Sequence, residues 1–291
     1  MKVLAIDVGG TAIKSALVCD NGEWIDFREL PTPAVIAEGI LEAARGYSGY
    51  AAVGISTAGL VDYKQGVVIF SSAALGYRDN EPLAEEIGSV LGVPVVVEND
   101  VNAAALGEAK FGAGRGCSDF VCLTYGTSIG GALYLNGDLY RGSRNMAGEI
   151  GHVATHAFGR PCPCGKQGCY SEYASVTALV RMAMEVDPAY ASGRIIAENM
   201  GGDPWLMAAV RAWADEVCVG LAGLIHVFDP PRVILGGGVM SDPAIVDIIR
   251  ETLPEHILDS YGSVEIRGAE TGNRAGLLGA AALAFGEAAK A

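Results

Sequence analysis

The sequence predicts a mixed α/β protein made of two similar lobes, and three observations carry that prediction. Short β-rich runs bounded by Gly, Pro, Asn or Asp alternate with helical stretches along the whole chain. A strand–glycine-turn–strand unit occurs twice, at Asp7-Val8-Gly9-Gly10-Thr11 and at Gly126-Thr127-Ser128-Ile129-Gly130-Gly131, about 118 residues apart. A length of 291 residues at 51% hydrophobic and 19% charged is too apolar for disorder and sufficient for about two domains with substantial cores.

In chain order, Val3–Ile6 and Ile13–Val18 read as strands around the first turn. Ala34–Arg45 reads as a helix, Ala52–Ser56 as a strand, Glu81–Leu91 as a helix, Val95–Val97 as a strand and Val101–Phe111 as a helix. Phe120–Leu123 and Ala132–Leu135 flank the second turn, and Glu172–Val186 is helical. Pro204–Phe228 carries the clearest stripe, Leu206, Val210, Trp213, Val217, Leu221, Leu224 and Phe228 at three- and four-residue spacing. Val233–Leu235 is a buried strand running into Gly236-Gly237-Gly238, ahead of a helix beginning near Asp242, and Ala275–Ala289 is a last helix. The glycines of Gly112-Ala113-Gly114-Arg115-Gly116 interrupt the helix formers and mark a boundary. The expectation is a small lobe over 1–116, joined by the C-terminal helix 275–291, and a larger lobe over 117–274.

Charge and cysteines narrow the function classes. A net charge of −14 with no local basic patch argues against nucleic acid and anionic membrane as partners. No apolar run approaches the roughly 20 residues of a bilayer span. Asp7 stands where a signal peptide would still be apolar, so a cytoplasmic protein is expected. Of seven cysteines, Cys19, Cys117, Cys122 and Cys218 are scattered and read as small core residues, whereas Cys162, Cys164 and Cys169 crowd together.

Six constellations carry chemistry. In the first turn, glycines let backbone N–H groups approach an anion, Thr11 adds a hydroxyl, and Asp7 at a strand end is suited to orient a hydrated Mg²⁺. It is not a Walker loop, because the helix and the Gly-Lys-Ser/Thr ending are missing. The second turn has the same character, and together the pair suits a phosphate chain. Glu98-Asn99-Asp100 follows the strand Val95–Val97 at its carboxyl end, where ligands bind; on the residues alone Asn99 and Asp100 read first as a helix N-cap, and Asp100 also fits a general base, two roles that can hold at once. Cys162-Pro163-Cys164-Gly165-Lys166-Gln167-Gly168-Cys169, with His152 or His156 as fourth ligand on spacing alone, reads as a structural Zn²⁺ site. Glu149 and Glu172 bracket that loop and suit hydrogen bonds to a polyhydroxylated ligand. Gly236-Gly237-Gly238 leaves room for a flat base or ribose, or is simply a sharp loop.

These motifs, in this order, resemble the ROK family of bacterial sugar kinases and repressors over essentially the whole chain. The pairing of Gly148-Glu149-Ile150-Gly151-His152 with Cys162-x-Cys164-Gly165-x-x-Gly168-Cys169-x-x-Glu172 is its most specific element. The resemblance implies an actin-like ATPase (ribonuclease H-like) fold, two duplicated α/β lobes around a cleft, assembled as homodimer or homotetramer. It implies ATP, Mg²⁺ and structural Zn²⁺. Position by position, it implies Asp100 as catalytic base and Asn99, Asp100, Glu149, His152 and Glu172 as sugar ligands. Asp7, Gly9, Gly10, Thr11 and Lys14, with Gly126 and Thr127, are implied for the phosphates, and Gly237 and Gly238 for adenosine. His152, Cys162, Cys164 and Cys169 are implied as the zinc set, His152 taking precedence over His156.

Two departures from the family pattern matter. Ser128 and Ala132 stand where the second turn commonly has glycine, so Ser128 brings a Cβ and a hydroxyl near the phosphates. Ala73-Ala74-Leu75-Gly76-Tyr77 stands where Asn-Leu-Pro-Gly-Trp is frequent, leaving room for an acetamido group. The expected activity is ATP-dependent phosphorylation of a hexose hydroxyl, the 6-hydroxyl, with glucose first and N-acetylmannosamine as the alternative. A sugar-sensing repressor of this family would carry a winged helix-turn-helix ahead of the first strand, which here begins at Lys2. A non-catalytic sugar-binding protein is the third reading, and the intact Asp100 weighs against it.

Overall fold

The computed structural model describes residues 1–71 and 75–290. Its chain forms two compact units, residues 1–116 with 139–147 and 273–291, and residues 117–138 with 148–272. Nothing in the sequence marks the excursion at 139–147.

In the first unit, β1 (Lys2–Val8), β2 (Ala12–Cys19) and β3 (Trp24–Pro31) form an antiparallel meander. After helix α1 (Ile36–Ala44), β4 (Val53–Thr57) adds parallel to β1. A small hairpin, β5 (Leu60–Asp62) and β6 (Val67–Phe70), follows, then α2 (Leu83–Leu91). β7 (Val95–Asn99) pairs parallel with β4 and passes directly into α3 (Asp100–Phe111). The sheet order is β3-β2-β1-β4-β7. Alternation along β1 explains its two-sided burial: Leu4, Ile6 and Val8 join Ile36, Ile40, Leu83 and Ile87 on one face, while Val3 and Ala5 face the other.

The second unit repeats the plan. β8 (Phe120–Tyr125) and β9 (Ile129–Leu135) form a hairpin, followed by the short β10 (Asp138–Leu139). Beyond α4 (Ser171–Ala174), α5 (Val176–Val186), α6 (Gly193–Asn199) and α7 (Pro204–Phe228), β11 (Arg232–Gly236) pairs parallel with β8. α8 (Pro243–Thr252) leads to β12 (Glu265–Gly268), parallel to β11. The order β10-β9-β8-β11-β12 matches the first sheet strand for strand, so the internal echo read from the two turns extends to a duplicated topology. The predicted stripe on α7 is buried, with Trp213 fully enclosed. Its indole N–H donates to the Ala174 and Ser175 carbonyls at 3.0 and 3.1 Å, and Tyr125, Tyr170 and the Val217 carbonyl are linked by 2.8 Å bonds.

The chain returns to the first unit as α9 (Ala275–Ala288), which lies on β1 and β4 and beside α3. Both helices are rich in Ala and Gly. A Cβ at Gly279 would fall on the Ala103 carbonyl of α3, so this backbone approach requires glycine.

Three expectations are corrected. The helix expected over Glu172–Val186 breaks at Ser175, whose extended backbone ends α4 while its hydroxyl caps α5 by accepting from the Ala178 amide at 3.2 Å. The second turn is shorter than its glycines suggest: Gly130 and Gly131 already belong to β9, leaving Gly126–Ser128 as the turn. β3 and β12 went unread because their exposed positions carry charges that break any apolar run. Among the described residues no helix is long and apolar enough to cross a membrane.

Candidate active site

β1, β4 and β7 run parallel, so their carboxyl ends share one edge of the first sheet, the place where open α/β sheets bind ligands. Asp7 lies at that end of β1, with Lys14 opposite on β2 and Ser56 opposite on β4. Burial pushes the Asp7 carboxyl above its ordinary value; the buried Ser56 hydroxyl and the Lys14 ammonium pull against the rise, and the negative charge of Asp100 adds to it. Two carboxylates in electrostatic reach with one lysine make a corner suited to a divalent cation.

Two carbonyls of the first turn are tied back. Thr32 donates its hydroxyl to the Gly9 carbonyl at 2.6 Å and its amide to the Thr11 carbonyl at 3.1 Å, while the Gly9 amide donates to Ala12. The Gly10 and Thr11 amides meet no acceptor among the described residues. In the second turn the Val176 amide donates to the Gly126 carbonyl at 3.0 Å and the Thr177 hydroxyl to the Thr127 carbonyl at 2.9 Å. The Thr127 and Ser128 amides are likewise without an acceptor among the described residues. Each turn thus carries two N–H groups that meet no acceptor among the described residues, an arrangement suited to anions.

At the β7–α3 junction Asn99 is the N-cap and Asp100 the first helical residue. Asn99 Oδ1 accepts from the Val101 and Asn102 amides at 2.9 and 3.1 Å, and its Nδ2 donates to the Gly59 carbonyl and to Asp100 Oδ1 at 3.1 and 3.0 Å. All four hydrogen-bonding positions of this amide are engaged, so a sugar hydroxyl meeting Asn99 must share one of them. Asp100 Oδ1 also accepts from the Val101 amide at 2.9 Å.

Behind this pair lies an arrangement the sequence did not reveal. Glu98 is 1% exposed; its Oε1 accepts from the Asn99 amide and Asn102 Nδ2, both at 3.0 Å, and its Oε2 accepts from Arg141 Nε at 2.7 Å. Arg141 is 8% exposed, and its guanidinium lies 3.7 Å from the centre of the Tyr63 ring. Glu98 was legible only as a neighbour of Asn99. Arg141, 43 residues away, had no local signal.

In the second unit His152, Cys162, Cys164 and Cys169 gather with all ligand atoms within 4.8 Å of one another. Cys164 and Cys169 sulfurs are 3.7 Å apart and Cys162 Sγ is 3.9 Å from His152 Nδ1. A tetrahedral metal with bonds of about 2.3 Å to sulfur has edges of about 3.8 Å, so the donor set fits zinc. The Lys166 backbone amide and the neighbouring sulfurs draw the Cys164 thiol down to about 7, while burial and the same sulfurs push Cys169 up to about 12. That split is expected of thiols sharing a first negative charge. His156 takes no part: its ring stacks on Tyr173 at 3.8 Å.

Glu149 and Glu172 flank the cluster, and their carboxylates meet no partner among the described residues. The loop carrying Glu149 is seated on β9 by backbone contact: a Cβ on Gly131 would strike the Gly148 carbonyl and Ile150, and one on Gly151 the Ile129 carbonyl. Gly237, at φ +101°, packs on the Tyr125 backbone just before the second turn, with Gly238 open beside it. Tyr77 bonds Thr57 through its hydroxyl at 2.9 Å, whereas Ala73 and Ala74, read as part of the sugar loop, lie outside the described residues.

Duplicated α/β units, each with a hairpin turn of outward amides, define an actin-like ATPase fold. The chain belongs to the ROK family, whose sequence model matches residues 3–287. It is 36% identical to the glucokinase of Streptomyces coelicolor over 97% of this chain and 96% of that one. It is 33% identical to a β-glucoside kinase of Listeria innocua over 96% of each. Among solved structures it resembles a ROK family glucokinase from Streptomyces griseus in complex with glucose and AMPPNP, at 35% identity and TM-score 0.85, covering 98% of this chain and 100% of that one.

Two outcomes follow from the buried charges. Arg141→Met alone strands Glu98 and should cost about 3–5 kcal/mol, whereas the double variant Glu98→Gln/Arg141→Met should cost clearly less; urea unfolding measures both. Asp7→Asn should raise Tm near pH 7. The raised Asp7 carboxyl disfavours the fold only when ionised, so the gain should shrink as pH falls through the folded-state value and vanish below the unfolded one.

Proposed function

We propose that this chain is an ATP-dependent hexose kinase that phosphorylates glucose at the 6-hydroxyl, with Asp100 as general base. The observation that carries the reading is Asp100 itself, a carboxylate at the start of α3 whose Oδ1 is pinned by the Asn99 amide group and the Val101 N–H. The kinship to glucokinases supports ATP and glucose as substrates.

Phosphoryl transfer needs little covalent help from protein; it needs placement, charge neutralisation and one proton acceptor. Asp100 accepts the proton of the attacking hydroxyl as that oxygen bonds to the γ-phosphorus and the bond to ADP breaks. The acceptor-less amides of Gly10 and Thr11, with Gly9 between strand and turn, and those of Thr127 and Ser128 in the turn that begins at Gly126 receive phosphate oxygens. Lys14 adds positive charge, and Gly237 and Gly238 leave the open face for adenosine. Asp7 would orient hydrated Mg²⁺, which neutralises phosphate charge when bound.

Asn99, Glu149, His152 and Glu172 hold sugar hydroxyls. His152 serves two ends: Nδ1 faces Cys162, and a metal there would leave the Nε2 proton for a hydroxyl. Zinc held by His152, Cys162, Cys164 and Cys169 would fix the loop between the two glutamates. Assembly as a homodimer or homotetramer and action in the cytoplasm complete the reading.

Asp100→Asn should lower kcat by about 10²–10⁴ while glucose still binds, read by coupled ADP release and by calorimetry. Undiminished turnover would remove Asp100 from the mechanism. A panel including mannose, allose, N-acetylglucosamine and N-acetylmannosamine should show glucose dominant, and silence across it would favour a sensor. Metal analysis should find about one zinc per chain. Chelation should raise the KM for sugar more than the KM for ATP, whereas unchanged sugar affinity would separate the cluster from Glu149 and Glu172.

A further inference from the structure

Ser128 stands where the family commonly has glycine, and its side chain is not idle. Its Oγ lies 2.8 Å from the Oγ of Ser171, the residue immediately before Glu172. Ser171 is 6% exposed, and its Oγ already accepts the Ile129 amide at 3.0 Å. A buried hydroxyl must donate as well as accept, and Ser128 Oγ is the one acceptor within reach of the Ser171 hydroxyl among the described residues. The order of donation is therefore Ile129 N–H to Ser171, and Ser171 O–H to Ser128. Accepting from Ser171, Ser128 keeps its own proton free to donate, on the exposed turn that also carries the acceptor-less Thr127 and Ser128 amides.

We propose that Ser128 donates a hydrogen bond to a phosphoryl oxygen of the nucleotide, with Ser171 as the positioning residue that aims it. The inference rests on the reading of Gly126–Ser128 as a phosphate turn and adds a donor that a glycine there cannot supply. Because Ser171 starts α4 and precedes Glu172, the same bond fastens the phosphate turn to the sugar-side helix within this unit.

The test measures AMPPNP affinity by calorimetry on the full chain, with glucose affinity measured separately. Ser128→Gly and Ser128→Ala should each weaken AMPPNP binding about tenfold, the loss of a hydrogen bond to a charged group, and leave glucose affinity unchanged, while Tm falls because the buried Ser171 hydroxyl loses its acceptor. Ser171→Ala should weaken AMPPNP binding too, but add nothing in the Ser128→Gly background, as expected of a residue acting through Ser128. Wild-type-like or tighter AMPPNP binding by Ser128→Gly and Ser128→Ala overturns the inference. A further loss on adding Ser171→Ala to Ser128→Gly overturns the positioning role. A wild-type chain that binds glucose but no AMPPNP overturns the phosphate-turn reading on which both stand.

Discussion

The placement of Asp100 depends on a buried carboxylate two residues earlier. Glu98, the penultimate residue of β7, is buried where an isolated charge would be too costly to keep. The Arg141 guanidinium, the Asn102 amide and the Asn99 backbone N–H all converge on it. Every one of those bonds fixes the junction at which β7 stops and α3 starts. Asn99 then caps the helix from above and grips Asp100 Oδ1. Ion pairing, capping and orientation of the proposed base form one connected network, which explains why segment 139–147 is held with the first unit.

The second unit reaches rigidity by other means. Its loops are fixed by backbone-on-backbone contact at Gly131, Gly148 and Gly151 and by the Ser128–Ser171 bond. Small residues matter here because they bring main chain against main chain, where no rotamer can adjust. Glu149 and Glu172 flank the Cys and His cluster with their carboxylates unspent by the fold among the described residues.

Duplication gave both units the same sheet order and the same hairpin turn, yet the two turns are equipped differently. Threonine 32 ties back the first from the end of β3, and the start of α5 ties back the second. In each case two of the turn's carbonyls are engaged internally while two of its amides are left without an acceptor among the described residues. That shared outcome from different partners is what phosphate recognition requires of a turn, and it is a stronger indication of function than the glycines themselves.

The sequence by itself determined the α/β class, the repeated turns, the α7 stripe and the membership of the cysteine cluster, because each is written in neighbouring residues. Hydrophobic period, glycine position and Cys spacing are local quantities, and folding does not alter them. The break at Ser175, the partnership of Glu98 with Arg141 and the orientation of Ser128 by Ser171 were decided only in the tertiary structure. Each depends on a group brought from far along the chain: Trp213 to the Ser175 carbonyl, Arg141 across 43 residues, Ser171 likewise across 43. A charged or hydroxylated side chain looks the same in sequence whether solvated or buried. Burial selects its partner, and burial is a property of the packed fold.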